Sequence, residues 1–492
     1  MIHNLKGASW DSIFLSIVKF LTMAVSIAIT KILSIGLSLE EYGTYSQTLI
    51  TISICSTILL FGLADALNYY YNNQSKSISL KTKQGYVNTV FFIEIILGII
   101  IAIGLLLGRQ YIVTYFSNQT LKILLTIVAI KPMFENLIYF YQVLFISIGK
   151  AKIIAIRNLI ISIIKVIIIY LSVIICQDIR LIFILLILLD VVQLIFFKMY
   201  FALDGFWVNP FKFSLTYIKP ILTYGIPIGI FALVSSLNRE VDKLIIGRMT
   251  DTETLAIYAN CSKLLPLDII VVSFATVLIP YIMRYVSLHD YDNVRILFSN
   301  YLKIGYYSVW ILGGAILIVP EQAISFLYSS QYLSGKIIFI LYILDSTLRF
   351  ASIHLILTAY GKVKILMYYS IMALFTNIVL NIILYYWIGI EGPAVATLIV
   401  TFIYTVAILK KTLSILHYSW LNILDIRDIT TFFISLIITG IIVHFFNELL
   451  LNYNVNKYFS MIITMVLFCI SNLLIWQTKI LSTIKTINNL RL

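Results

Sequence analysis

Long runs of apolar residues alternate along this chain with short clusters of polar residues, glycine and proline. The runs lie near 11–36, 43–66, 86–107, 122–147, 153–175 and 181–203, then 220–247, 254–283, 297–319, 336–358, 364–387 and 391–410, and finally 429–447 and 458–477. A helix needs about 20 residues to cross a hydrocarbon core of roughly 30 Å. The pattern therefore predicts an all-α integral membrane protein with fourteen transmembrane helices. The first run is expected to stay as a membrane helix rather than leave as a signal peptide, because Lys19 and Lys31 interrupt it and no A-x-A site follows.

Charge in the connecting segments tests that count. With an even number of helices both termini share a side, and one set of loops and termini carries twenty-one Lys and Arg, among them Lys81, Lys83, Lys150, Lys152, Lys362, Lys364 and Lys479. The alternate set carries six: Arg109, Lys122, Arg180, Arg248, Lys336 and Lys457. One missed helix would invert every later loop and erase this asymmetry. Basic residues are retained on the cytoplasmic side, so both termini are predicted there.

An internal repeat is also visible. Gly149-Lys150-Ala151-Lys152-Ile153 follows the fourth segment and Gly361-Lys362-Val363-Lys364-Ile365 follows the tenth, 212 positions later. Phe196-Phe197-Lys198 and Ile408-Leu409-Lys410 close the sixth and twelfth at the same offset. Tyr42-Gly43-Thr44-Tyr45-Ser46 aligns with Leu255-Ala256-Ile257-Tyr258-Ala259 at an offset of 213. These matches predict two parallel six-helix bundles, residues 1–215 and 216–415, with two additional helices and a cytoplasmic tail in 416–492. Transporters built from such repeats place substrate between the halves.

Composition agrees with this picture and removes several alternatives. Of 492 residues 61% are hydrophobic and 12% charged, with a mean hydropathy of +1.00, far from the quarter charged that is usual in soluble domains. The net charge of +13 would suggest nucleic acid in a soluble protein; here the loops account for most of it, and no nucleic-acid partner is expected. The four cysteines sit in apolar runs without paired spacing, and the five histidines form no metal motif. No phosphate-binding loop or nucleophile elbow occurs, so no enzyme, cofactor or metal is predicted.

Eight basic residues remain inside the apolar segments: Lys19, Lys31, Lys131, Lys165, Arg239, Lys243, Lys263 and Arg349. A charge at the centre of a lipid-facing helix costs a few kcal/mol or more, so such residues face a polar cavity or a partner. Lys31 and Lys131 are set aside, because each lies near a helix end or in a register that the sequence does not fix, which leaves an interfacial and a buried placement equally open. Ser12, Ser16, Lys19, Thr22, Ser26 and Thr30 form one stripe at helical spacing. The seventh segment, which contains Pro220 and Pro227 and is expected to kink there, runs on through Asn238-Arg239-Glu240-Val241-Asp242-Lys243. The eighth carries Lys263 and Asp268 around Pro266. In the tenth, Asp345 and Arg349 stand at i, i+4 in the favourable order for an ion pair. The predicted site is a cationic cavity formed by Lys19, Arg239, Lys243, Lys263 and Arg349, with Glu135, Glu240, Asp242, Asp268 and Asp345 as coupling or charge-balancing acids. Asp65, Glu94 and Asp190 are further acids within the segments. A wet cationic wall selects an anionic headgroup, Arg offering a bidentate fork and Lys a point charge. Tyr69, Tyr70, Tyr71, Tyr368 and Tyr369 fall near predicted interfaces, where belt tyrosines collect, and nothing in their spacing assigns them a ligand.

The turn Leu39-Glu40-Glu41-Tyr42-Gly43-Thr44-Tyr45, the turn Ile148-Gly149-Lys150, and the stretch from Tyr224-Gly225-Ile226-Pro227 through Asp242-Lys243-Leu244-Ile245-Ile246-Gly247 to Ile257-Tyr258 resemble the bacterial polysaccharide flippases. These export the repeat units of O-antigen, capsule and exopolysaccharide, and belong to the superfamily that includes multidrug extrusion transporters and the lipid II flippase. The resemblance implies two bundles working by alternating access on an undecaprenyl-pyrophosphate-linked oligosaccharide, moved from the inner to the outer leaflet of the cytoplasmic membrane. It also implies membrane lipids, a coupling ion (H+ or Na+) and a polysaccharide polymerase as partners. The thirteenth and fourteenth helices match in order the pair that forms a lipid-tail groove in lipid II flippases. A cation-coupled drug or metabolite antiporter is the alternative on this scaffold, and would call for an acid-dominated cavity. A membrane glycan polymerase would call for a long external loop or a reactive cluster.

Cysteines introduced at Lys81 and Lys362 are expected to resist a membrane-impermeant thiol reagent applied from outside. Efficient external labelling would overturn the helix count.

Overall fold

The computed structural model describes residues 2–60, 62–72, 80–203, 208–265, 267, 271, 278, 281–286, 288–349, 356–357, 360 and 362–491. Among the described residues there is no strand. Contacts group the chain into two units, Met1–Ala256 and Ile257–Leu492. The first contains α1 (Ile2–Gly36), α2 (Leu39–Leu60), α3 (Leu63–Asn72), α4 (Leu80–Phe116), α5 (Leu121–Val128), α6 (Lys131–Ser147), α7 (Ala151–Tyr170), α8 (Ile179–Leu203) and α9 (Leu215–Met249). The helix α10 (Thr252–Cys261) leads into the second, which holds α11 (Tyr291–Ile318), α12 (Pro320–Leu327), α13 (Lys336–Leu348), α14 (Val363–Ile388), α15 (Gly392–Leu416), α16 (Trp420–Ile423), α17 (Ile426–Asn452) and α18 (Lys457–Arg491).

Ten helical stretches among the described residues are long and apolar enough to cross a membrane. One of them, Lys364–Leu416, is a pair: α14 and α15 fold back on each other at Gly389, whose φ of 77° suits glycine. The predicted eighth and tenth segments run over residues outside the description. The exposed face of α17 has the chemistry a bilayer requires: Ile434, Ile437, Ile438, Ile441, Ile442 and Phe445 are each more than half exposed and recur at helical spacing.

Three predicted segments are interrupted, each for a local reason. The second breaks at Gly62, in the left-handed region (φ 65°), and a Cβ there would stand 2.2 Å from the carbonyl oxygen of Gly225 in α9. The fourth divides into α5 and α6 just before Pro132, at the position in a helix's first turn where proline loses no hydrogen bond. In the eighth, helix ends at Cys261 and residues 262–265 are not helical; Pro266, itself outside the description, disfavours helical backbone in the residue before it. At the other end of α10, Asp251 accepts the backbone N–H of Thr254 (2.7 Å), which holds its carboxyl below the usual carboxylate range. The seventh segment is continuous: α9 runs unbroken through Pro220 and Pro227, and it packs on α2, α3 and α4 within the first unit.

Among the described residues the first unit shows two apolar cores. One joins Leu33, Tyr42, Phe116, Leu125 and Phe183; the other joins Leu67, Val87, Phe140, Phe145, Phe197 and Ile221. In the second unit Tyr306, Tyr307, Phe432, Phe468 and Trp476 form a core shared by α11, α17 and α18. At one end of that core Asp428 is 4% exposed. It accepts hydrogen bonds from the hydroxyls of Tyr306 (2.6 Å) and Tyr307 and from the amine of Lys479. Lys479 Nζ lies 4.7 Å from the Trp476 ring centroid, and Trp476 Nε1 donates to Ser435 Oγ at 2.8 Å. α17 and α18 are thus attached to α11 by a buried carboxylate.

Removing one partner of a buried charged network costs on the order of 3 kcal/mol. Asp428→Ala is expected to lower the thermal unfolding midpoint in detergent by several degrees and Lys479→Ala, whose amine reaches solvent, by less. Equal midpoints for Asp428→Ala and the parent would refute the attachment.

Candidate functional site

A lysine inside an apolar bundle must find a carboxylate, and the first unit supplies two. The break before Pro132 sets Lys131 at the start of α6, ten residues and so roughly 15 Å into the Leu121–Ser147 stretch. Lys131 is 5% exposed and Asp190, on α8, 4%. Lys131 Nζ lies 2.6 Å from Asp190 Oδ2 and 3.3 Å from Glu135 Oε1 one turn further along α6. Of the interfacial and buried placements that the sequence leaves open for Lys131, the structure shows the buried one, with its amine paired to two carboxylates. The local signal was present, since Glu135 follows at i+4; Asp190 lies 59 residues away and has no such signature.

The network extends through neutral groups. Ser56 Oγ on α2 donates to Glu135 Oε2 at 2.8 Å, and Asn136 Nδ2 donates to the Ser56 carbonyl at 3.0 Å. Gln193 Nε2 donates to Asp190 Oδ1 (3.2 Å), while Arg157 on α7 donates to Gln193 Oε1 and lies 5.0 Å from the Phe197 ring centroid. Beside Ser56, Thr57 Oγ1 bonds Ser236 Oγ on α9 at 3.0 Å. Half-buried Lys165 on α7 adds a third cation near the two carboxylates. Five helices, α2, α6, α7, α8 and α9, therefore contribute to one polar tract through an otherwise aliphatic unit.

Along α9 the predicted charges divide by partner. Lys243 Nζ lies 3.0 Å from Glu240 Oε2 and also donates to the Arg239 carbonyl (3.3 Å). Asp242 is buried and accepts the backbone N–H of Lys243 at 2.8 Å. Arg239 is exposed, and its guanidinium has no hydrogen bond or ion pair among the described residues. It stands ten residues, about 15 Å, before the end of the Leu215–Met249 span.

On α1, Thr22, Ser26 and Thr30 turn their hydroxyls back onto the helix's own carbonyls at i−4, between 2.8 and 3.2 Å. Lys19 lies on the same helix, its side chain outside the description. In the second unit Lys263 follows the end of α10, where its Nζ donates to Asn260 Oδ1 at 2.8 Å and lies 5.9 Å from the Tyr328 ring centroid. Arg349 caps α13 and pairs through Nε with Asp345 Oδ2 (2.7 Å), as the i, i+4 spacing predicts, and a second nitrogen reaches Thr401 Oγ1 at 3.2 Å. Asp268 lies outside the described residues. The structure thus brings Glu135 and α9 into one tract, pairs Lys243 with Glu240 and Arg349 with Asp345, and leaves Arg239 exposed on α9.

A family model described as polysaccharide biosynthesis protein matches residues 32–337. Among solved structures, the lipid II flippase MurJ in an inward closed conformation superposes with a TM-score of 0.75 at 17% identity, covering 95% of this chain and 100% of that one. An inward-facing multidrug resistance MATE family transporter of the MOP superfamily gives 0.65 at 12% identity, with 80% and 94% covered. A MOP superfamily transporter from Pyrococcus furiosus, described as having a binding pocket of reverse polarity, gives 0.54 at 12%, with 82% and 94% covered. No curated protein matches the sequence. At these identities the structural likeness establishes the fold alone, the all-α fold that these proteins share.

Lys131→Met strands two carboxylates and is expected to destabilise the first unit by roughly 3 to 5 kcal/mol, whereas Lys131→Met combined with Asp190→Leu should recover much of that loss. The check is a double-mutant cycle on thermal midpoints in detergent; additive effects of the two substitutions would contradict a direct pair.

Proposed function

The chain belongs to the polysaccharide biosynthesis protein family, and from that premise we propose that it is a flippase moving lipid-linked oligosaccharide repeat units across the cytoplasmic membrane for surface polysaccharide assembly. Undecaprenyl pyrophosphate is the carrier that fits, and the direction is from the inner to the outer leaflet. The protein makes and breaks no covalent bond in this role: it binds the charged headgroup on one side, changes conformation and releases it on the other. Both termini face the cytoplasm, and a polysaccharide polymerase receives the product.

The observation that carries this reading is the exposed guanidinium of Arg239, unpaired among the described residues, within an apolar span. An arginine there is tolerated where it meets water rather than lipid, and its planar fork complements a phosphate. Lys19, at the centre of the polar stripe of α1, is the second phosphate contact we propose. Lys243 and Arg349 are paired with Glu240 and Asp345, and Lys263 donates to Asn260, so we propose these three as lesser contacts. At 4 Å and an effective dielectric near 20, a single charge pair is worth about 4 kcal/mol. Two such contacts hold a diphosphate without trapping it. The similarity of fold to a lipid II flippase, a protein that handles a lipid-linked sugar, supports the same assignment. Alternating access would carry the headgroup across, with helices 416–492 taking the lipid tail. An H+ or Na+ gradient drives the cycle, and buried Asp242, three residues beyond Arg239 on α9, is the acid we propose to couple the two.

A stable Lys19→Ala, Arg239→Ala double mutant is expected to insert normally and to lose surface glycan by at least tenfold, with Arg239→Lys retaining a substantial part. Normal glycan display by the double mutant would sink the cationic-cavity proposal, and extrusion of cationic dyes in its place would favour an antiporter.

A further inference from the structure

Six tyrosines from three helices converge in the first unit, where α3, the beginning of α4 and the beginning of α9 meet. Tyr69 stacks on Tyr224 with centroids 4.3 Å apart and an interplanar angle of 17°, and Tyr70 stacks on Tyr86 at 4.7 Å and 3°. Tyr86 in turn meets Tyr217 at 4.5 Å, and the Tyr69 and Tyr70 rings meet edge to face at 5.1 Å. Tyr71 holds the Lys83 amine 4.6 Å from its ring centroid.

The assembly is built in place rather than gathered loosely. Gly85 lets Tyr217 lie directly on α4, since a Cβ there would stand 2.4 Å from the Tyr217 ring. The segment leading into α9 is pinned to α4 where Asn88 Oδ1 accepts the N–H of Asn209 (2.9 Å) and Thr89 Oγ1 accepts that of Ser214 (3.1 Å). Phe213 stacks on Phe92 at 4.0 Å. The Tyr70 hydroxyl donates to the Pro220 carbonyl (3.3 Å), whereas the hydroxyls of Tyr69, Tyr86, Tyr217 and Tyr224 have no partner among the described residues.

Next to these rings, α3 presents Asp65, Asn68, Tyr69 and Asn72 at i, i+3, i+4 and i+7, all exposed. Asn72 Nδ2 bonds Asn68 Oδ1 at 2.7 Å and Ser147 Oγ bonds it at 2.9 Å, which fixes part of that face. Tyr69 is 45% exposed although Tyr224 stacks on one of its faces and the Tyr70 ring meets it edge to face, so much of the side chain stays open to a ligand. A tyrosine that merely anchors a helix at the bilayer surface does not require a neighbouring carboxylate, two carboxamides and a second layer of stacked rings. A hydrocarbon chain would be better met by Leu and Phe than by phenols.

We infer that this face is a carbohydrate subsite: the Tyr69 ring takes the C–H face of a pyranose, while Asp65, Asn68 and the phenol hydroxyls take its ring hydroxyls. The rigid backing keeps the ordering penalty of binding small. The subsite rests on the flippase reading above, in which it would hold a sugar of the lipid-linked cargo while the cationic residues hold the phosphates.

The test uses the full chain in nanodiscs and a panel of methyl pyranosides (gluco, galacto and N-acetylglucosamine), read by saturation-transfer NMR, with thermal midpoints as the folding control. Wild type is expected to saturate the ring C–H protons of at least one member. Tyr69→Leu and, independently, Asp65→Asn should each weaken that signal by at least about fivefold, and Tyr69→Phe should keep most of it. Should Tyr69→Leu fail to fold, the exposed Asp65→Asn carries the comparison. No saturation of any pyranoside by wild type, or equal saturation by the folded variants, overturns the subsite. Surface glycan measured in parallel separates the two claims: export by wild type without sugar saturation removes the subsite alone, and sugar saturation without export removes the flippase reading.

Discussion

An ammonium group held between two carboxylates inside a bundle of isoleucines is the interaction on which the first unit depends. Taking Lys131 out of water is tolerable only because Asp190 and Glu135 are both within ion-pair distance, and their remaining oxygens are satisfied by Ser56 and Gln193. The requirement propagates. Ser56 ties α2 to α6, Gln193 ties α8 to Arg157 on α7, and Thr57 beside Ser56 reaches Ser236 on α9. A polar tract in a medium without water fixes which helix faces which, because every alternative pairing leaves a buried charge alone.

That constraint makes the departure from it informative. Lys243 and Arg349 each have a carboxylate at hand, and Asp428 in the second unit has three donors. Arg239 has neither partner nor cover among the described residues. A charge in an apolar span is costly in lipid, and the exposed Arg239 is for that reason the residue on which the proposed phosphate contact rests. The acids divide likewise: Glu135, Glu240 and Asp345 sit beside bases, whereas Asp65 is exposed on α3 with the tyrosines.

Backbone breaks position these groups. Proline at 132 starts α6 so that Lys131 meets α8 in the middle of the unit, and glycine at 62 lets α3 approach the Gly225 backbone of α9, which brings Tyr69 onto Tyr224. Neither break shortens the apolar runs, so the membrane-spanning pattern survives while the side chains on either side of it are re-aimed.

Much of the architecture was legible in the order of residues. Apolar runs, exposed stripes such as that of α17 and the pairing of Asp345 with Arg349 all follow from helical periodicity, which is a local property read over seven residues or fewer. The division of the second and fourth runs was not anticipated, although Gly62 and Pro132 mark both places. What only the tertiary structure decided is which distant groups meet: Lys131 with Asp190 across 59 positions, Asp428 with Tyr306 across 122, and the tyrosines of α3 with those of α4 and α9. An apolar helix can rotate about its axis without changing its hydropathy pattern. The rotation is set by burying each charge against its opposite, and that partner has no fixed spacing in the chain.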